Sequence, residues 1–64
     1  MSHATYPNNF FFIANTDTGE YIHQDLILKD YYSAKSNIGA LIVSREVGLH
    51  ILREFEGFEL IPVM

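Results

Sequence analysis

The sequence predicts an α+β fold of layout ββ(α)βαβ: a four-stranded, mainly antiparallel sheet with one main helix packed on one face. Three observations carry this. Residues 10–24 read as two aromatic-rich strands around the turn Asn15-Thr-Asp-Thr-Gly19. Residues 40–63 change hydrophobic period from 2 to 3.6 and back, as strand, helix and strand require. Residues suited to ending or starting an element, Ser44, Gly57 and Pro62, stand at the joins of that second stretch.

Taken in order, Met1–Asn9 shows no periodicity and holds Pro7 before Asn8-Asn9, a turn signal, so residues 1–9 read as a mobile arm and 10–64 as a single domain. Phe10-Phe-Phe-Ile-Ala14 is a strand with aromatics on both faces. Asn15 and Asp17 tolerate left-handed backbone and Gly19 supplies positive φ, which returns the chain into Glu20-Tyr-Ile-His-Gln24. Asp25–Lys35 has two readings. As a helix, Asp25 caps it, Asp25 and Lys29 form an acid-before-base pair one turn apart, and Ile27, Leu28, Tyr31 and Ala34 share a side. As a strand, Leu26, Leu28 and Tyr32 alternate; the helical reading is preferred. Ser36-Asn-Ile-Gly39 is a loop.

Ala40-Leu-Ile-Val43 suits a strand buried on both faces. Ser44 is placed to cap the following helix, with Glu46 near its positive end. Val47, Gly48, Ile51, Leu52 and Phe55 share the apolar face, and Glu46, His50, Arg53 and Glu54 the polar one. Gly48 costs roughly 1 kcal/mol against Ala inside a helix, so its place on the apolar face implies close approach of helix to sheet. Gly57 ends the helix as a left-handed residue, and Phe58–Val63 is a strand that lies at a sheet edge or finishes at Pro62, which has no N–H to donate.

Composition narrows the function. The 64 residues carry eight acids against four bases, a net charge of −4, which disfavours nucleic acid as a direct ligand and suits a basic protein partner. Cysteine is absent, which excludes disulfides and thiolate metal sites. No apolar run is long enough to cross a membrane, and the start lacks a signal-peptide pattern, so the cytoplasm is the expected compartment.

Catalytic chemistry finds little footing. Asp17-Thr18-Gly19 spells the aspartic-protease triplet, but at the tip of a tight hairpin both Asp and Gly are accounted for by turn geometry. His3, His23 and His50 have no second ligand at metal-binding spacing, although Glu46 and Glu54 flank His50 one turn away on either side. The four glycines are scattered, so no phosphate loop forms, and Ser33, Ser36 and Ser44 lack the surroundings of an activated nucleophile. These absences argue for a protein that is not an enzyme and holds neither cofactor nor metal.

Two acidic groupings remain: Asp17, Glu20, Asp25 and Asp30, and Glu54, Glu56 and Glu59. Either is ordinarily solvated surface; the sharper reading is a face that imitates the charge of nucleic acid. Asp17, Glu20, Asp25 and Asp30 are the candidate charge contacts, with Tyr21 and Tyr31 as anchors. Both strands of the hairpin are apolar on two sides, which one helix cannot cover; Phe11, Ile13 and His23 are therefore candidates for a homodimer face.

In layout and size, the hairpin Phe11-Phe-Ile-Ala-Asn-Thr-Asp-Thr-Gly-Glu-Tyr21, followed by Leu41-Ile-Val-Ser-Arg-Glu-Val47 and Phe58-Glu-Leu-Ile-Pro-Val63, resembles small accessory proteins of phages and mobile elements, among them anti-CRISPR inhibitors. The resemblance implies an acidic, non-enzymatic inhibitor of a nucleic-acid-binding complex, and it assigns no residue a role. The expected partner is a basic nucleic-acid-binding protein, with self-assembly through the sheet as the alternative.

Overall fold

The structure, a computed structural model, describes residues 10–63. The expected arm, 1–9, lies outside the described residues. Strands β1 (Phe11–Asn15), β2 (Glu20–Gln24), β3 (Tyr31–Ala34) and β4 (Glu59–Pro62) form one sheet in the order β3-β2-β1-β4, every pair antiparallel, and helix α1 (Arg45–Leu52) packs over β1 and β4. The α+β class, the four-stranded sheet and the single covering helix match the expectation. One strand, however, comes from a different segment.

That strand is β3, in the stretch read preferentially as helix. The cap signal at Asp25 is real: its Oδ1 accepts from the N–H of Ile27 and of Leu28, both at 2.8 Å. The same two bonds serve a helix start or a tight turn, and here they serve a turn. Lys29 enters the left-handed region at φ 66°, its N–H returns to the Asp25 carbonyl, and Asp25 N–H donates to the Asp30 carbonyl. The chain then runs back along β2, where Tyr32 stacks on His23, ring centroids 5.3 Å apart. Cross-strand aromatic pairing and a full ladder outweigh a second helical turn.

Ala40–Val43, expected as a full strand, is reduced to a single bridge between Val43 and Phe11. The pairing of β1 with β2 covers only Ala14–Tyr21 and Asn15–Glu20. Beyond it the two strands diverge, and residues 41–43 hydrogen-bond to both. Leu41 N–H donates to the Ile22 carbonyl at 3.0 Å, and Phe11 and Val43 exchange bonds of 2.8 and 2.9 Å. With β1 between them, this segment and β4 are not sheet neighbours; the helix crosses β1 to join them.

Under the helix, Ile13 and Ile22 are fully buried and cluster with Val43 and Ile51, with Leu41, Leu52, Phe55, Phe58 and Leu60 packed around. Ser44 caps the helix through Val47 N–H at 3.3 Å. A Cβ on Gly48 would stand 2.5 Å from a Leu60 methyl and 3.0 Å from one of Val43, which accounts for glycine at this crossing. Val47, expected on the buried face, is half exposed, because the contact is centred on Gly48 and Ile51 with Leu52 beside them. The helix also ends before Gly57. Glu54 and Phe55 N–H bond three residues back, tightening the chain toward Gly57 at φ 88°, where it turns into β4.

Candidate functional site

Alternation along the strands sorts the side chains onto two faces. Phe11, Ile13, Ile22 and Leu60 face the helix. Phe12, Ala14, Tyr21, His23, Tyr32 and Ile61 face away, as the pairs Phe12–Ile61, His23–Tyr32 and Ala14–Tyr21 require. Phe11 and Ile13, expected on a dimer face, are thus core residues, 4% and 0% exposed, with the Arg45 guanidinium 4.8 Å above the Phe11 ring. The helix needs an apolar floor, and the odd-numbered residues of β1 provide it. His23 does lie on the far face, yet it is buried too. Tyr32 covers its ring, and its Nε2 lies 2.8 Å from the Ser36 carbonyl, which assigns the proton to Nε2.

The face opposite the helix is instead opened by Phe10, Tyr32 and, by alternation with Leu41 and Val43, Ile42, all about half exposed. Phe12 and Tyr21 pack edge-to-face at 5.5 Å between them and the hairpin end. Ser36, just after β3, lies against His23 on this face, and Phe10, Tyr32 and Ile42 stay half exposed beside it.

The six residues expected to bind a partner do not form one site. Asp17 and Glu20 lie at the turn between β1 and β2, and Asp25 and Asp30 at the turn between β2 and β3. The length of β2, about 13 Å of extended chain, separates the two. Tyr21 faces away from the helix, whereas Tyr31 faces toward it and meets Phe55 edge-on at 6.0 Å.

The acids regroup across the chain instead. Pairing of Ala14 with Glu59 brings Glu59 to the Asp17 end, where Thr16 Oγ1 donates to its carboxylate at 3.3 Å. Thr18 Oγ1 donates to the Glu20 carboxylate at 3.2 Å, and Gly57 lies against Asn15, which sets Glu56 beside the same turn. Sequence reading missed this joining of Asp17 and Glu20 with Glu59, because it depends on β4 returning beside β1. Asp25 belongs to its turn: the Leu28 and Ile27 N–H groups hold its carboxyl below the ordinary carboxylate range.

Among the described residues there is no cavity, no group of three His, Asp or Glu disposed to hold a metal, and no helix long and apolar enough to cross a membrane. No family model matches the chain, and neither a curated protein nor a solved structure matches it.

Proposed function

We propose that this chain is a non-catalytic binding protein that occupies a basic, nucleic-acid-contacting site on a partner in the cytoplasm, an inhibitor of the phage-accessory kind that its layout resembles. The observation that carries the reading is that strand pairing brings Glu59 to the end of the sheet where the Asp17–Glu20 turn lies, with Glu59 on the face of the aromatic pair Phe12–Tyr21 and Glu20 on the other. Glu20 and Glu59, each accepting from a threonine hydroxyl, and Asp17 at the turn present negative charge where a basic groove expects phosphate, and the rings beside Glu59 add apolar contact. Competition with nucleic acid is then steric and electrostatic. The double change Asp17→Lys and Glu20→Lys is expected to weaken partner binding at least about tenfold and to flatten its salt dependence, while the melting temperature holds. Equal affinity and an equal salt slope would overturn the reading.

A second reading has its own observation. Phe10, Tyr32 and Ile42 leave the face opposite the helix half open, and a second copy laid on that face would make a homodimer. Ile42→Asp separates the two readings: sedimentation should show loss of a dimer in the second and no change of mass in the first.

A further inference from the structure

Two turns of this protein share one geometry and have opposite chemistry. In the first, Asn15 Oδ1 accepts from Asp17 and Thr18 N–H, Gly19 N–H donates to the Asn15 carbonyl, and Gly19 is left-handed at φ 79°. In the second, ten residues on, Asp25 Oδ1 accepts from Ile27 and Leu28 N–H, Lys29 N–H donates to the Asp25 carbonyl, and Lys29 is left-handed at φ 66°. The backbone asks the same of both loops. The first answers with Thr16, Asp17, Thr18 and glycine, as turn chemistry favours. The second answers with Leu26, Ile27, Leu28 and lysine.

Nothing in the fold calls for that triplet. Leu26, Ile27 and Leu28 are 82%, 87% and 69% exposed and lie outside the core cluster. They are three neighbouring apolar side chains on a loop whose backbone is already fixed by five hydrogen bonds, counting that from Gln24 Nε2 to the Lys29 carbonyl. A held loop loses little further freedom on binding, which is how contact anchors are commonly built. Departure from local preference at four successive positions, without a packing return, marks a functional element.

We propose that the Leu26–Leu28 tip is a plug that enters an apolar cleft on a partner protein, with Asp25 and Asp30 at its base meeting Lys or Arg on the rim of that cleft. Charge selects this occupant. A bilayer would accept the three apolar side chains, but Asp25 and Asp30 against the single Lys29 leave the flanks of the tip acidic, on a chain of net charge −4, where an inserting element wants basic flanks. A second copy would meet the tip either with the same two acids or with another surface of a chain whose net charge is also −4. A cleft with a cationic mouth satisfies both the apolar tip and the acidic base. The plug lies at the far end of β2 from Asp17 and Glu20, so this proposal and the acidic-end reading are tested by different substitutions.

The test places a photoreactive benzophenone side chain at position 27 of the full chain, and at position 17 as control, irradiates each in cell lysate, and then purifies the protein crosslinked from position 27. Affinities of that protein are compared for the wild type, for the triple change Leu26→Ser, Ile27→Ser and Leu28→Ser, and for Asp17→Lys with Glu20→Lys. The expected result has four parts. The crosslinked peptide lines an apolar cleft bordered by Lys or Arg. The triple change loses about 30-fold or more in affinity. Its melting temperature is that of the wild type, since these side chains are outside the core. The Lys pair leaves this contact unchanged or strengthens it. Should the triple variant melt lower, Ile27→Ser alone replaces it. Undiminished affinity in the serine variants, or the absence of any crosslink from position 27, overturns the proposal. So does wild-type sedimentation with phosphatidylcholine or phosphatidylcholine–phosphatidylglycerol vesicles that the triple change abolishes, which makes the occupant a lipid surface. A concentration-dependent dimer lost in the triple variant overturns it too, in favour of a second copy.

Discussion

Three residues show how local demands are met or strained. At Gly19 a Cβ would meet nothing within 4 Å, so Gly19→Ala isolates the conformational cost of φ 79°. A loss of about 1 kcal/mol by chemical denaturation is expected. Lys29 has the same backbone without the glycine, so Lys29→Gly should gain roughly 0.5 kcal/mol, the released strain exceeding the entropy added to the unfolded chain. Gly48 is the contrary case, a helical position of ordinary φ crowded by Leu60 and Val43. Gly48→Ala should lose about 1 kcal/mol, overpacking outweighing the gain in helix propensity. Asp25 adds a pH dependence. Its folded-state pKa is depressed, so its contribution to the turn is present above the unfolded value and is lost as pH falls through the folded one. The protection of the Ile27 and Leu28 amides, their exchange rate compared with the intrinsic rate at each pH, should therefore fall on acidification, and in Asp25→Asn, which keeps the accepting oxygen, that acid-induced change should vanish.

Among the elements, the β2–β3 hairpin makes the sharpest claim. Because its turn repeats the three hydrogen bonds that close the first, replacing Leu26-Ile27-Leu28-Lys29 by the Thr-Asp-Thr-Gly found at residues 16–19 should leave the fold intact, with a melting temperature at or above that of the wild type. A collapse of the far-ultraviolet spectrum would show that the apolar triplet holds the structure, and the case for a plug would fall with it. The helix is short, and its one described side-chain cap is Ser44. Ser44→Ala should cost about 0.5–1 kcal/mol, at the low end for a cap because the bond to Val47 N–H is long.

For the whole molecule, size governs. A domain this small gains only about 3–5 kcal/mol from a single core, and no cysteine is available to reinforce it. Ile13 and Ile22 are the largest fully buried side chains among the described residues, and both belong to the core cluster under the helix. Either Ile→Ala change should remove about 2–4 kcal/mol and leave the chain mostly unfolded at 37 °C, read by circular dichroism. That economy sharpens the meaning of the apolar surface left outside. A chain with so little core to spare keeps Leu26, Ile27 and Leu28 in water, as well as Phe10, Tyr32 and Ile42 on the open face.

Local chemistry by itself determined the first hairpin, the cap at Ser44, the period of the helix, the crowding at Gly48 and the end of the last strand at Pro62. Each depends on residues a few positions apart, or on a backbone rule that holds in any fold. Only the tertiary structure decided the rest. Asp25 makes the same two hydrogen bonds at the start of a helix as in a turn, and the stacking of Tyr32 on His23 chose the turn. Residues 40–43 have the composition of a buried strand, but the divergence of β1 from β2 allowed them a single bridge. Phe11 and Phe12 look alike in sequence, and the side on which the helix landed made one core and the other open face. The acidic site divided for the same reason. Asp17 and Glu20 are joined to Glu59 through strand pairing and parted from Asp25 and Asp30 by the length of β2, and neither distance is a property of the intervening residues.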